Sequence, residues 1–112
     1  MTPRQLADLL NSKGIDCSGF GPSTSMDPGA IAQGNCGTMP IVIELVQFPN
    51  HDAITGQFVP FLQEDQCRYA NPADRVTNSY IDGGTWAIYS DDEPTTQHIA
   101  SVLGLPDTPL CS

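Results

Sequence analysis

The chain is 112 residues long and carries a formal net charge of −9, set by thirteen acids against one lysine (Lys13) and three arginines (Arg4, Arg68, Arg75). The acids are at ordinary density and the bases are few, so no cluster of Lys and Arg exists to neutralise phosphates or anionic headgroups; nucleic-acid binding and an electrostatic membrane anchor are excluded on that ground. No apolar run approaches the roughly 20 residues that span a bilayer, and the length suits one small domain, 1–112, with a modest core.

The first element is legible residue by residue. Thr2-Pro3-Arg4-Gln5 is a capping box, with Thr2 as N-cap, Pro3 at the first helical position and Gln5 reaching back. Leu6, Leu9 and Leu10 make one apolar stripe, and Gly14 followed by Ile15 is a Schellman ending, which predicts a helix over 3–13. Residues 18–34 hold Gly19, Gly21, Pro22, Pro28, Gly29 and Gly34 and read as loop; Met26 and Asp27 have no evident partner in it.

Residues 41–48, bounded by Pro40 and Pro49, form a β-branched run that reads as the core strand. Glu44 interrupts it. A buried Glu with a raised pKa would serve as an acid or base, but charged side chains are rarely buried unpaired, so Glu44 is expected on the open face of the sheet. Asn50 then caps a helix near 51–58 with a further turn through 61–65, Gly56 and Pro60 opposing one long helix. Residues 71–78 read as turn.

Asp82-Gly83 between β-formers signals a hairpin, and its second arm, Trp86-Ala87-Ile88-Tyr89, puts Trp86 and Ile88 on one core-facing side. Asp91-Asp92-Glu93 precede Pro94 and a helix bearing Ile99, Val102 and Leu103 that stops at Gly104. Its acids fall where the partial positive charge of a helix N-terminus favours them. Residues 105–112 read as a C-terminal tail. The fold expected is α+β: two to three helices on one face of a small, mainly antiparallel sheet centred on strands 41–48 and 85–90.

The cysteines, Cys17, Cys36, Cys67 and Cys111, are never closer than 19 residues. Structural zinc sites and dithiol redox sites use close pairs such as C-x₂₋₄-C, absent here, whereas a scattered even number suits two disulfides and an oxidising compartment; the alternative is four buried free thiols in a cytosolic protein. Three pairings are possible. Cys17 and Cys36 bracket the Gly/Pro-rich segment, and a bridge there would close a loop of about 20 residues for roughly 3 kcal/mol. That favours Cys17–Cys36 and, by exclusion, Cys67–Cys111. Met1 runs straight into the helix signal without a basic or apolar leader, so either a leader has been removed or the protein is cytoplasmic; the first is the expectation.

No nucleotide, serine-hydrolase, zincin or EF-hand motif occurs, and no catalytic, cofactor or metal-ligating residue is singled out. His51, beside Asp52, and His98 are expected to be solvent-exposed on helices. The order of capped helix, Cys17, Gly-rich loop, Cys36, strand ending in Phe48, Gly84-Thr85-Trp86-Ala87-Ile88 and a terminal helix ending Leu103-Gly104 resembles small actinobacterial secreted proteins and lipoproteins of unassigned function. A phage-encoded relative fits the same pattern. The resemblance implies an envelope or extracellular setting and carries no catalytic residue. The lipid-attachment cysteine of that group is missing. The function expected is therefore a disulfide-stabilised interaction domain, without cofactor, that meets a protein partner. The alternatives are a cytoplasmic acidic inhibitor of a basic partner and a small hydrolase using paired acids or His51-Asp52, for which a polar cleft lined by those groups is required.

Overall fold

The structure, a computed structural model, describes residues 1–38, 40–67 and 79–111. Helix α1 spans Pro3–Ser12 and both arms of its capping box are formed: Gln5 N donates to Thr2 Oγ1 at 3.1 Å and Thr2 N to Gln5 Oε1 at 2.8 Å. It ends as the sequence predicts, with Gly14 at φ 82° and Ile15 N bonded back to Leu10 O at 3.0 Å. Strands β1 (Gly21–Pro22), β2 (Ala32–Cys36) and β3 (Ile43–Gln47) follow, then helix α2 (His51–Ala53), a π-helical stretch (Ile54–Phe58) and α3 (Val59–Gln66). From Ser79 on come β4 (Ser79–Asp82), β5 (Trp86–Ser90), α4 (Glu93–Leu103) and β6 (Asp107–Pro109).

The six described strands form one antiparallel sheet in the order β1-β2-β3-β5-β4-β6, so the two strands expected at the centre, β3 and β5, are neighbours there. Their alternation divides the core. Ile43, Leu45, Trp86 and Ile88 face α1 and α4, where they pack with Leu6, Leu10, Ile81 and Ile99. Val46, Ala87 and Tyr89 point the other way, joining Phe48, Ile54, Phe58 and Tyr80. The α+β class is as expected. Its layering has one addition: α1 and α4 share one face, and the helical run 51–66 lies against the other.

Three readings of the sequence need correction. The segment 18–34 is not all loop: it contains β1 and the first residues of β2, paired in register with β3 from Ala32↔Gln47 to Cys36↔Ile43. The residues of 105–112 do more than trail: Asp107–Pro109 add a strand to β4 and Leu110 is buried. And 51–66 is one continuous helical run. Val59 N bonds to Ile54 O, a five-residue step; the next bond in that wide register would need an N–H from Pro60, which has none, and the α register resumes there. The predicted turn at 71–78 lies outside the described residues.

All four cysteines are bonded, Cys17–Cys36 and Cys67–Cys111. The first link is interior, with Cys17 and Cys36 at 1% and 3% exposure, and is flanked by a backbone bond from Gly37 N to Ser18 O at 2.9 Å. The second lies nearer the surface, Cys67 being exposed and Cys111 half-buried. Each outer strand carries a proline, Pro22 in β1 and Pro109 in β6.

Candidate functional site

The face of the sheet that meets the run 51–66 changes character from one rung to the next. At Val46↔Ala87 it is apolar and covered; at Glu44↔Tyr89, one rung on, it opens into a polar basin of about 320 Å³. Asp27, Gln33, Asn35, Glu44 and Tyr89 line the basin together with Pro22 of β1 and the loop residues Ser23, Thr24 and Ser25. Four of these side chains come from adjacent strands: Gln33 and Asn35 from β2, Glu44 from β3 and Tyr89 from β5.

Asp27 reaches the basin through a turn. Asp27-Pro28-Gly29-Ala30 closes with Ala30 N donating to Asp27 O at 3.1 Å, Pro28 in the second place and Gly29, at φ 88°, in the third. That is the residue order of a type II turn, whose third position needs a positive φ. A Cβ at Gly29 would also stand 2.9 Å from the Ala53 carbonyl oxygen, so the turn is seated against α2. Ile31 N to Gln47 O, at 2.8 Å, ties its far end to β3.

One carboxamide organises the site. Gln33 Oε1 accepts from Asp27 N at 2.7 Å, and since a backbone N–H only donates, the amide orientation is fixed. Its Nε2 must then face the acids, and it donates to Asp27 Oδ2 at 3.2 Å and Glu44 Oε2 at 3.1 Å. Tyr89 Oη adds a third bond, donating to Asp27 Oδ2 at 2.7 Å. Burial, then the neighbouring Asp27 charge, holds the Tyr89 phenol far above its ordinary range, so it is a permanent donor. Burial also raises the Glu44 carboxyl; the Gln33 bond opposes that rise, while the charges of Asp27 and Asp91 add to it.

These placements revise several expectations. Glu44 does face away from α1 and α4, but it is half-buried in the wall of the basin rather than fully solvated. Asp27, without an evident partner in the sequence, bonds a tyrosine 62 residues away. His51 is exposed as expected, yet its Nε2 pairs with Asp82 at 2.7 Å rather than with Asp52. His98 is exposed on α4. The acids before α4 divide their roles: Asp92 is the N-cap, its side chain accepting from Thr95 N, and Glu93 sits in the first turn. Among the described residues no three His, Cys, Asp or Glu side chains converge as a metal site requires, and no helix is long and apolar enough to cross a membrane.

No family model, curated protein sequence or solved structure matches this chain. The site therefore has to be read from its own chemistry. Two carboxylates, an amide and a phenol in an open basin can hold a ligand rich in hydrogen-bond donors, or can exchange protons with one.

Proposed function

We propose that the chain is an interaction domain of the cell envelope or extracellular space, and that it recognises its partner through the basin at the Glu44–Tyr89 rung. The carrying observation is that every cysteine is paired. Disulfides persist in oxidising compartments and are rare where thiols are kept reduced, and the resemblance to small actinobacterial secreted proteins and lipoproteins agrees with that setting. The charge of −9 keeps such a domain soluble. Thiol titration of the denatured, unreduced protein taken from its native host checks the compartment: no reactive thiol supports the reading, and four favour the cytoplasmic acidic inhibitor instead. Capture of the partner at low and high salt adds a second test, because a pure charge mimic releases its partner as salt rises.

A second reading, hydrolysis by paired carboxylates, is favoured by one feature. Asp27 and Glu44 share a donor across the basin, and burial raises the Glu44 carboxyl, the direction a general acid needs. It requires turnover that disappears in both Asp27→Asn and Glu44→Gln. Ligand binding without turnover leaves the first reading standing.

A further inference from the structure

We infer that the basin is built to receive a basic side chain, arginine or lysine, of a polypeptide partner. This deepens the proposal above and rests on it.

Gln33 has two amide N–H groups, and both are spent, one on each carboxylate. The Tyr89 hydroxyl proton is spent on Asp27, and Asn35 Nδ2 gives one N–H to Ser23 Oγ at 3.3 Å. Each carboxylate has one oxygen tied by these internal donors; among the described residues none reaches the other, Asp27 Oδ1 or Glu44 Oε1. Beyond these bonds the two carboxylates present acceptor oxygens to a visitor, and the donors left in the lining, the second Asn35 N–H and the hydroxyls of Ser23, Thr24 and Ser25, are all neutral.

Charge turns those acceptors into a preference. Arg4 lies over the Phe20 ring, 5.3 Å from its centroid, and Lys13 closes α1; both belong to the helix on the opposite face of the sheet. Among the described residues no cation pairs with Asp27 or Glu44. A carboxylate half-removed from water, with no cation beside it among the described residues, sits at a cost, and burial accordingly displaces the Glu44 pKa upward. A guanidinium or ammonium group would supply both N–H donors and the missing charge, in charge-assisted bonds of roughly twice ordinary strength.

The rim points to a polypeptide rather than a free ion. Met26, between the lining residues Ser25 and Asp27, is 56% exposed, and Ile31, at the end of the same loop, is 54% exposed. Two bare apolar side chains on the loop that carries Asp27 would meet the backbone and neighbouring side chains of a chain whose basic residue enters the basin.

The test is a titration of the oxidised, ¹⁵N-labelled chain followed by amide chemical shifts. The probes are N-acetyl-arginine amide, N-acetyl-lysine amide, their neutral analogue N-acetyl-citrulline amide, methylguanidinium and glucose. The expected result is saturable shifts at Asp27, Gln33, Glu44 and Tyr89 with the two cationic amides, weaker binding of methylguanidinium, and an affinity at least fivefold lower in E44Q and in D27N. Affinity should rise with pH as Glu44 ionises. Citrulline binding as well as arginine, or unchanged affinity in both variants, overturns the inference. Methylguanidinium binding as tightly as the arginine amide overturns its polypeptide part. If only glucose shifts these amides the inference falls while the basin remains a recognition site, and if no probe does, both fall together.

Discussion

The Val46↔Ala87 and Glu44↔Tyr89 rungs belong to the same two strands, face the same way and are separated by one pleat, yet the first is packed in apolar side chains and the second borders a polar basin. Around the first, Phe58 packs its ring 5.0 Å from Phe48, 6.0 Å from Tyr80 and 5.7 Å from Tyr89, in tilted and edge-on arrangements that aromatic quadrupoles favour. Around the second, polar groups are held by bonds that leave acceptor atoms facing the basin. Tyr89 belongs to both: its ring closes the apolar cluster and its hydroxyl enters the network. The contrast teaches where the fold is held and where it is available for recognition. Substitutions should therefore separate stability from ligand response according to the rung they touch.

The largest effect should come from the dry side. Phe58→Ala removes the ring at the centre of three aromatic contacts and is expected to destabilise by about 3–5 kcal/mol, measured by urea unfolding. Replacing Cys17 and Cys36 together by alanine should cost about 3 kcal/mol, and the same change at Cys67 and Cys111, which closes the longer loop, about 4 kcal/mol, by the chain-entropy relation. If the interior and the outer link are reversed in that order, packing around the interior sulfurs outweighs loop length.

Tyr89→Phe sharpens the comparison because it keeps the ring and deletes only the hydroxyl. A bond to a charged acceptor is worth about 1.5–3 kcal/mol, so stability should fall by that order while the near-UV aromatic signal is retained. Glu44→Gln should act in the opposite sense. With the folded-state pKa raised, this group's favourable contribution is complete below the ordinary Glu pKa and is lost as pH rises through the folded value. The wild-type chain should thus gain stability from this residue on acidification from neutral pH, and the Gln variant should melt higher at pH 7 and lack that component. A variant that melts lower at pH 7 would mean that the charged form is favoured by a cation outside the described contacts. The smallest effect belongs to the surface pair: Asp82→Asn at the exposed His51 should change stability by under about 1 kcal/mol.

The parts of the molecule readable in advance are those specified by neighbours in the chain. Thr2 and Gln5 cap a helix within one turn, Gly104 closes another, and the run 41–48 is apolar enough to be a central strand on its own evidence. Strand β2 was not readable because its identity is decided by other segments. Ala32-Gln33-Gly34-Asn35-Cys36 has no β-branched residue, and Gly34 is needed for a reason visible only in space: a Cβ there would stand 2.6 Å from the Phe20 ring. The candidate site was hidden for the same cause. Asp27, Gln33, Glu44 and Tyr89 lie in four elements, and their network depends on strand register, not on spacing. One local signal was present: Asp27-Pro28-Gly29 announces a turn that fixes its first residue, and a carboxylate so fixed is available to form a site.

The two borders of the sheet have a consequence for the molecule in company. β1 is two residues long and ends in Pro22; β6 is three and ends in Pro109. Prolines at both rims and such short outer strands deny a second copy the row of N–H groups on which sheet-to-sheet growth depends. Among the described strands, then, neither edge is suited to strand addition by a second copy, and fibre growth at high concentration is disfavoured.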